Sequence, residues 1–516
     1  MTRRLPPAFL WLLALYPPVA LLAANIQQID PLHGLRAMAA CLLGMLLLHL
    51  GLQLVLAPAG AAILAGSAWL VFFSYGHVYQ AIKGARLGEV LIGRHMHLLP
   101  AALVLMVGAW LLARRLRSLG SWRPILTLMA ASALVLPILT IVRFQLQLGA
   151  EPRLALPVRQ SGVAPAQLPD LYLILLDAYT RQDVLRQSFG VDNRPFIQAL
   201  EALGFVVPGC SLSNYSQTEL TLASMLNFDY LSELPASFSQ QSNDRTALFY
   251  LIRHSALRRT LETAGYQTVA FETGYAWSEW QDADRYLKPE TGWNWSRLTR
   301  GLNAYEAQLV ETTGYLALSD ARAVLPSDAS GLAAGPLEAH RVRVTYVLDQ
   351  LPNLPRDGDR PNFVFAHIVA PHRPFIFRPE PDSELLDTYL IPTFSIADSP
   401  GYIAGYRGQV MYLNGRLPDL LANLIDNSEV PPLILLFGDH GPDDAQGAER
   451  LPILQAIHLP GYSLDDDLEG LTPINAVRLL LDEGLGYDLP PLTDRSYYSE
   501  YDRPFILSQV ENDCLP

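Results

Sequence analysis

The chain has little cysteine and, in its first part, almost no acidic residues. Residues 1–150 carry 11 lysines and arginines against two acidic residues; the 516-residue chain has a net charge of −13, so residues 151–516 carry −22. An acidic second half disfavours nucleic acid as a partner, because such binding needs a basic surface. The chain also lacks the glycine-rich phosphate loops of nucleotide-dependent enzymes, which disfavours a nucleotide substrate. The two halves therefore belong in different environments.

The three cysteines allow at most one disulfide bond. Cys41 lies in an apolar run. Cys210 and Cys514 can pair only if the fold brings them together, which the sequence does not show. The alternative is that both are free or buried thiols.

Long apolar runs fill the first part of the chain. There are five, at residues 7–25, 36–56, 60–78, 97–113 and 123–142. Each is near the ~20 residues that a helix needs to cross a bilayer. The first is not a cleaved signal peptide, because further spans follow at once. We therefore predict a transmembrane domain of about five helices at 1–145, a proline-containing linker at 146–169 and a second domain at 170–516; buried helices of a soluble protein are the alternative.

Arginines set the expected orientation of these spans. Arg3 and Arg4 precede the first span, and four more surround the loop between the fourth and fifth: Arg114, Arg115, Arg117 and Arg123. With five spans both places lie on one side, which the positive-inside rule makes cytoplasmic. Residues after Arg143 are then outside. The basic loop at 83–94 falls outside as well, against the rule.

The second half alternates short apolar runs with amphipathic stretches. The strand-like runs are LYLILLD (171–177), QTVAFE (267–272), NFVFAHI (362–368) and PLILLFGDH (432–440). Helical patterns such as 194–205 and 413–427 lie between them. This alternation predicts an α/β domain with a mostly parallel sheet covered by helices on both faces. Such sheets bind ligands beyond the carboxyl ends of their strands.

Polar residues lie at those strand ends and suggest a metal site. Asp439 and His440, within GDHG at 438–441, follow one strand and Asp177 follows another. Divalent ions accept such a mixed oxygen and nitrogen set. The alternative for GDHG alone is a surface turn.

A candidate nucleophile lies in SLSNYSQTELTLASMLNFDYL at 211–231. Ser216 and Glu219 fit a capping box, which predicts a helix start with Thr218 in its first turn. Backbone amides and the helix dipole favour a phosphate or an ionised oxygen there. The alternative is that these hydroxyl residues are merely caps.

Further candidates for substrate contact follow the strands. HIVAPHRPF (367–375) contains His367, His372 and Arg373; His372 is the better placed to contact phosphate or to protonate a leaving group. His367 alternatively belongs to the strand end. Arg181 can steady an anion or pair with a neighbouring acid, and Glu272, at its strand end, is a candidate for substrate contact.

The order of these motifs along the chain resembles that in the alkaline phosphatase/sulfatase superfamily: Asp177 at a strand end, then Thr218, then PHRP, then GDHG. More narrowly, the chain resembles the membrane-anchored sulfatase-like transferases: lipoteichoic acid synthase, osmoregulated-glucan phosphoglycerol transferase and lipid A phosphoethanolamine transferase. The resemblance covers nearly the whole chain, including five spans before an extracytoplasmic domain with an alkaline-phosphatase-like fold. It implies that Asp177, Asp439 and His440 hold a metal ion, that Thr218 is both a ligand and the covalent nucleophile, and that His372 contacts the phosphate or assists the leaving group.

Two departures from these patterns bear on the activity. The transferases usually have Glu where this chain has Asp177, which is more typical of sulfatases. Sulfatases carry a Cys or Ser followed by Pro and Arg for conversion to formylglycine, whereas this chain has Thr218-Glu-Leu-Thr-Leu222. Because Thr cannot become formylglycine, sulfatase activity is disfavoured.

The resemblance therefore implies an enzyme of the bacterial inner membrane with its catalytic domain on the periplasmic side. It would transfer a phosphoglycerol- or phosphoethanolamine-type head group from a phospholipid to a glycan or glycolipid acceptor, through Thr218. One divalent ion is expected: zinc, manganese, magnesium or calcium. Two alternatives stay open, namely a phosphodiester or sulfate-ester hydrolase of the same superfamily and a non-catalytic membrane protein that keeps the fold.

Overall fold

In the computed structural model the chain forms two compact units. One comprises Met1–Leu146 with Trp293–Pro336, and the other Gln147–Gly292 with Leu337–Pro516. Most of the expected linker, 149–155 and 159–166, lies outside the described residues. The structure describes 5–148 (apart from 28, 30, 84, 88, 89 and 92), 156–158, 167–289 (apart from 235–237), 304–317, 334–377, 400–461 (apart from 443, 444 and 446) and 468–512.

The first unit contains a helix at each of the five apolar runs. These are α1 (Ala8–Ala24), α2 (Leu35–Leu52), α3 (Pro58–Ile82), α4 (His95–Arg115) and α5 (Trp122–Leu148). Two-residue strands, Arg86–Leu87 and Val90–Leu91, lie between α3 and α4. By length and composition, the segments of α2 to α5 can each cross a membrane, whereas α1 is apolar but has 17 residues.

A segment from the second half of the sequence belongs to this first unit. Its helix, Ala304–Glu311, places the fully buried Tyr305 so that the hydroxyl donates to the carbonyl oxygen of Pro18 in α1. Glu306 pairs with Arg36 at the start of α2 through two hydrogen bonds. These contacts involve the carboxyl half of α1 and the amino end of α2.

The same segment is also bound to α3 through its backbone. The Gly76 N–H donates to the Thr312 carbonyl oxygen at 2.9 Å, and the Gly314 N–H donates to the Phe72 carbonyl oxygen at 2.7 Å. Phe72 and Gly76 are one turn apart in α3. At 314 a Cβ atom would lie 3.3 Å from Phe72 Cδ2, so the glycine at that position leaves room for this close approach.

The second unit is built on a six-stranded sheet. Its strands are β1 (Leu171–Leu176), β2 (Gln267–Phe271), β3 (Arg285–Leu287), β4 (Asn362–Ile368), β5 (Leu433–Phe437) and β6 (Gln455–His458), in the spatial order β3-β2-β4-β1-β5-β6. All neighbours are parallel except β5 and β6. The predicted α/β class and mostly parallel sheet are confirmed.

Helices surround this sheet. They are Gln182–Phe189, Arg194–Ala202, Thr218–Met225, Thr246–Arg253, Ala256–Thr263, Ala334–Gln350, Pro400–Asp426 and Pro473–Leu485, and a separate antiparallel pair of strands is formed by Ser496–Tyr498 and Ser508–Val510. Every residue of β1, β4 and β5 is buried, as expected for strands covered on both faces. The sheet therefore forms the centre of the core, and its polar residues are found at strand ends.

One disulfide bond involves this unit. Cys210 is disulfide-bonded, whereas Cys41 in α2 is a free, buried thiol. Cys514, the partner considered from the sequence, lies outside the described residues.

Candidate active site at the carboxyl ends of the central strands

Two carboxylates and one imidazole converge at the carboxyl ends of β1 and β5. Asp177 directly follows β1, while Asp439 and His440 follow the adjacent, parallel β5. One ligand atom from each lies within 4.8 Å of the others, and all three residues are buried. The His440 Nε2 atom is 3.8 Å from Asp177 Oδ1 and 3.5 Å from Asp439 Oδ2.

Each carboxylate has one oxygen engaged and the other free to bind an ion. Asp177 Oδ2 is 3.0 Å from His367 Nε2, and Asp439 Oδ1 accepts from the Ala178 N–H at 3.0 Å. Asp177 Oδ1 and Asp439 Oδ2 are buried and have no hydrogen-bond partner among the described residues. Buried oxygens of this kind are costly unless they are compensated. The donor set therefore fits a divalent cation bound by oxygen and imidazole nitrogen.

Asp177 favours the ionised form that such binding requires. Burial by itself raises the pKa of this carboxyl group. The nearby His372 and the hydrogen bond from His367 outweigh burial, so that the pKa lies below its ordinary value.

The hydrogen bonds of His440 define its tautomer. Its Nδ1 lies 2.6 Å from the Gly441 carbonyl oxygen, which can only accept, so Nδ1 carries the proton. Nε2 therefore presents a lone pair. The Thr218 Oγ1 atom lies 3.2 Å from this nitrogen and can donate its proton to it. The proposed nucleophile is thus in direct contact with a proposed metal ligand.

Glycine is required at 438 to bring Asp439 into place. A Cβ atom there would lie 2.2 Å from the Tyr179 carbonyl oxygen, within the backbone that leaves β1. The Gly438 N–H donates to the Leu454 carbonyl oxygen at 2.8 Å. The glycine of GDHG therefore lets the two chain segments carrying Asp177 and Asp439 approach each other.

Thr218 is the first residue of the buried helix Thr218–Met225. The predicted helix start is confirmed, but the capping box is wrong, because the N-cap is Gln217 and its side chain makes no capping bond. Ser216 Oγ instead donates to the Ser499 carbonyl oxygen, and Glu219 lies 3.9 Å from Arg245. The side chains of Ser216 and Glu219 therefore interact with residues distant in sequence instead of capping the helix. The Leu220 and Thr221 N–H groups donate to the Gln217 carbonyl oxygen, both at 3.1 Å, so Thr218 lies at the amino end of a regular first turn.

His372 lies at the edge of this group. Its N–H donates to the Asp177 carbonyl oxygen at 3.0 Å, and its ring is edge-on to that of His440 with centroids 6.4 Å apart. The side chain is half-buried. This position is suitable for a group that contacts a substrate beside the carboxylates.

The remaining predicted residues have varied surroundings. Arg181 forms a bidentate ion pair with Asp183, with N···O distances of 2.7 and 2.8 Å, and this pair lowers the pKa of Asp183. Pairing with a neighbouring acid was one of the two roles that the sequence allowed for Arg181. Arg373 lies over the ring of Tyr402 at 5.8 Å. Glu272 is half-buried directly after β2.

Sequence reasoning missed two basic residues near the site. Arg450 Nη2 lies 3.5 Å from His440 Nε2, while its Nε donates to the Ser216 carbonyl oxygen at 2.7 Å. His340 is buried close enough to Asp177 and His372 to interact electrostatically with both, and burial, followed by Arg343, lowers its pKa to about 3. Neither residue lies in a recognisable motif, so only the fold reveals them.

Comparisons with known proteins gave likenesses to solved structures only. No family model and no curated protein matches the chain. The C-terminal periplasmic domain of EcEptC from Escherichia coli, in complex with Zn, is 14% identical with a TM-score of 0.41, covering 71% of this chain and 98% of that one. The membrane protein lipooligosaccharide phosphoethanolamine transferase A from Neisseria meningitidis is 12% identical with a TM-score of 0.39, covering 94% and 96%.

A third similar structure is the lipoteichoic acid synthase LtaP from Listeria monocytogenes. It is 14% identical with a TM-score of 0.34, covering 68% of this chain and 78% of that one. These are proteins of the kinds that the sequence motifs resemble, and this is a likeness alone. At such identities and TM-scores it does not bear on the activity of this chain, which depends on the site itself.

Proposed function

We propose that the protein is a membrane-anchored phosphotransferase that moves a phospho-head-group from a phospholipid to an extracytoplasmic glycan or glycolipid. Thr218 carries the group between donor and acceptor. The observation that supports this most strongly is the position of the Thr218 hydroxyl. It lies at a helix start, 3.2 Å from His440 Nε2 and next to two carboxylates whose oxygens Asp177 Oδ1 and Asp439 Oδ2 lack partners among the described residues.

Asp177, Asp439, His440 and Thr218 would hold one divalent ion. When bound, such an ion acts as a Lewis acid that favours ionisation of a hydroxyl group and neutralises charge on phosphate oxygens. The chain itself fixes where the hydroxyl lies, because the helix Thr218–Met225 is buried along its whole length. Half-buried Arg450 adds positive charge beside His440.

The first step forms a bond between Thr218 Oγ and phosphorus, and the hydroxyl proton of Thr218 is lost to water. The bond from phosphorus to the diacylglycerol oxygen breaks, and the departing oxygen takes a proton, for which His372 is the candidate donor. Diacylglycerol leaves, and the head group stays as a phosphodiester on Thr218. In the second step an acceptor hydroxyl attacks phosphorus and gives its proton to His372, while the bond from phosphorus to Thr218 Oγ breaks and this oxygen regains a proton from water.

The membrane unit fits a lipid donor, because anchoring raises the local concentration of a membrane substrate. We propose that all five helices span the bilayer. At ~1.5 Å per residue, the 17-residue α1 is about 26 Å long, close to the ~30 Å of a hydrocarbon core.

The docked segment 304–314 supports the proposed orientation. It contacts the carboxyl half of α1, the amino end of α2 and the later part of α3. In consecutive antiparallel spans these ends share one side, which is also the side on which α5 ends. That agrees with a periplasmic second unit and cytoplasmic Arg114, Arg115 and Arg117.

The test uses the full chain in lipid vesicles with a radiolabelled head group and added Mn²⁺ or Zn²⁺. We expect diacylglycerol release and, when a periplasmic glycan fraction is added, transfer of label to it. Thr218→Ser keeps the hydroxyl and should keep measurable activity. Thr218→Val keeps the shape without the hydroxyl and should lose activity by at least about 10³-fold.

The outcomes separate the possible functions. Label released steadily into water, with no transfer to any glycan, would show a hydrolase instead of a transferase. Equal activity in Thr218→Val and the parent would overturn the covalent role of Thr218. No turnover by the folded parent with either ion would favour a non-catalytic membrane protein.

A further inference from the structure

We propose that His367 is a positioning residue that fixes Asp177 so that one of its oxygens, Oδ1, is presented to the metal ion. This inference rests on the proposed metal site. His367 Nε2 lies 3.0 Å from Asp177 Oδ2, and the side chain of His367 is fully buried. His367 lies in β4, where it is paired with Leu175 of the neighbouring parallel strand β1, and Asp177 directly follows β1.

The second nitrogen of His367 is engaged as well. Its Nδ1 lies 3.3 Å from Ser278 Oγ, which in turn lies 2.9 Å from Thr273 Oγ1. The ring of Trp277 packs beside the imidazole with centroids 5.8 Å apart. The imidazole is thus held at both nitrogens and along one side, so its orientation is fixed by the chain.

This geometry determines which oxygen of Asp177 can bind an ion. An ionised carboxylate only accepts hydrogen bonds, so the proton between the two groups lies on His367 Nε2. Oδ2 is then occupied, whereas Oδ1 is buried without a partner among the described residues and faces His440 Nε2 at 3.8 Å. Residues that orient metal ligands in this way typically contribute 10- to 100-fold to metal affinity. Since both nitrogens are engaged, a positioning role is favoured over substrate contact.

Two amide replacements separate the two nitrogens of His367. In His367→Gln the amide nitrogen can occupy the place of Nε2 and keep the bond to Asp177. In His367→Asn the shorter amide reaches only the place of Nδ1, so it keeps the contact with Ser278 and loses the one with Asp177. We expect His367→Gln to bind the metal within about threefold of the parent, and His367→Asn to bind about 10- to 100-fold more weakly.

The experiment is a titration of the full chain in detergent by calorimetry, with Mn²⁺ and Zn²⁺ separately, together with the melting temperature of each variant. Asp439→Asn gives the background from ions bound elsewhere. His458→Asn is the matched control for loss of a buried imidazole, because His458 lies on β6, is 7% exposed and makes its Nδ1 contact with the Pro432 carbonyl oxygen. We expect it to lower the melting temperature without changing metal affinity.

Each result has a distinct meaning. If the parent binds neither ion above the Asp439→Asn background, the metal site and the proposed function fail together. If the parent binds and His367→Asn binds equally well, the positioning role is refuted while the metal site stands. If His367→Gln and His367→Asn lose affinity equally, the hydrogen bond to Asp177 is not the cause, and the inference is also overturned.

Discussion

The two carboxylates of the site should destabilise the protein when no metal is bound, and replacing Asp439 by Asn tests this. In Asp439→Asn the amide oxygen can keep the Ala178 N–H bond, which is 3.0 Å long. The amide nitrogen takes the place of Oδ2, which lies 3.5 Å from His440 Nε2 and lacks a partner among the described residues. That nitrogen can donate to the lone pair of His440 in place of the Thr218 hydroxyl, whose proton can rotate away. The substitution thus satisfies an unpaired buried atom and removes a charge beside Asp177.

The expected magnitude follows from the cost of such an atom. A buried unsatisfied polar group costs about 1–3 kcal/mol. Metal-free Asp439→Asn should therefore have a higher melting temperature than the metal-free parent, by roughly 1.5–5 °C for a unit of this size. With metal at ~1,000 times its Kd, the parent should gain about 4 kcal/mol, whereas the variant should gain almost nothing. The order of stability should reverse when metal is added.

The assay is tryptophan fluorescence during heating of the full chain in detergent, with chelator or with Mn²⁺ or Zn²⁺. Trp277 and Trp280 are buried in the second unit and report its unfolding. Asp349→Asn is the control, because Asp349 forms an exposed pair with Arg416 and its loss should matter by less than about 1 kcal/mol in either condition. A metal-free Asp439→Asn that melts below the parent, or one that is stabilised by metal as much as the parent, would refute the reasoning.

Three further predictions concern other parts of the chain. Gly438→Ala should lower the free energy of unfolding by at least ~1–3 kcal/mol and weaken metal binding, because the new Cβ atom would lie 2.2 Å from a backbone oxygen. Its control, Gly415→Ala, lies in open space within a helix and should raise the free energy of unfolding by ~0.5–1 kcal/mol. Chemical denaturation and metal titration of the two variants test this. Burial raises the pKa of Glu279 from 4.5 to about 7, so its contribution to stability is complete below pH ~4.5 and is lost as pH rises through 7. Glu279→Gln should therefore have the same free energy of unfolding as the parent at pH 4.5 and a higher one at pH 8, by up to roughly 3 kcal/mol. Equal melting temperatures of the two proteins across this pH range would contradict the raised pKa of Glu279. A double-mutant cycle on Arg36 and Glu306, measured by SDS-induced unfolding, should give a coupling energy above ~1 kcal/mol because Glu306 is buried. A value near zero would show that this ion pair does not hold the segment 304–314 in place.

The sheet and the three metal-ligating candidates were predictable because their signals are local. A fully buried parallel strand is a continuous apolar run, and Leu171–Leu176 and Leu433–Phe437 are both such runs. An aspartate follows each run within two residues: Asp177 after the first and Asp439 after the second. The rule that ligands bind at the carboxyl ends of parallel strands then places Asp177, Asp439 and His440 together without any knowledge of the side-chain packing.

The contacts between distant parts of the chain were not predictable. Ser216 and Glu219 have the spacing of a capping box, but their partners, Ser499 and Arg245, are chosen by tertiary packing. The hydrogen bond from His367 to Asp177 depends on the register of two strands 190 residues apart. No sequence pattern gives such a register.

The sequence also did not predict that the segment 304–314 packs within the first unit. The sequence predicted one boundary between a membrane domain and a catalytic domain, whereas residues 293–336 group with the first unit. The interactions that hold this segment are the buried Tyr305, the Arg36–Glu306 pair and backbone bonds at Gly76. Individually, each of these residue types is common, so the sequence carries no distinctive signal.

The central claim is that Thr218 carries the transferred group, and the intact mass of the full chain tests it most directly. The protein would be incubated with Mn²⁺ or Zn²⁺ and mixed phospholipids without an acceptor, then quenched with acid and compared with Thr218→Val. We predict a metal-dependent gain in mass equal to one phospho-head-group, located on Thr218 by peptide sequencing and missing from the variant. A head-group adduct on another residue, or metal-dependent release of diacylglycerol by Thr218→Val at the parent rate, would contradict the account.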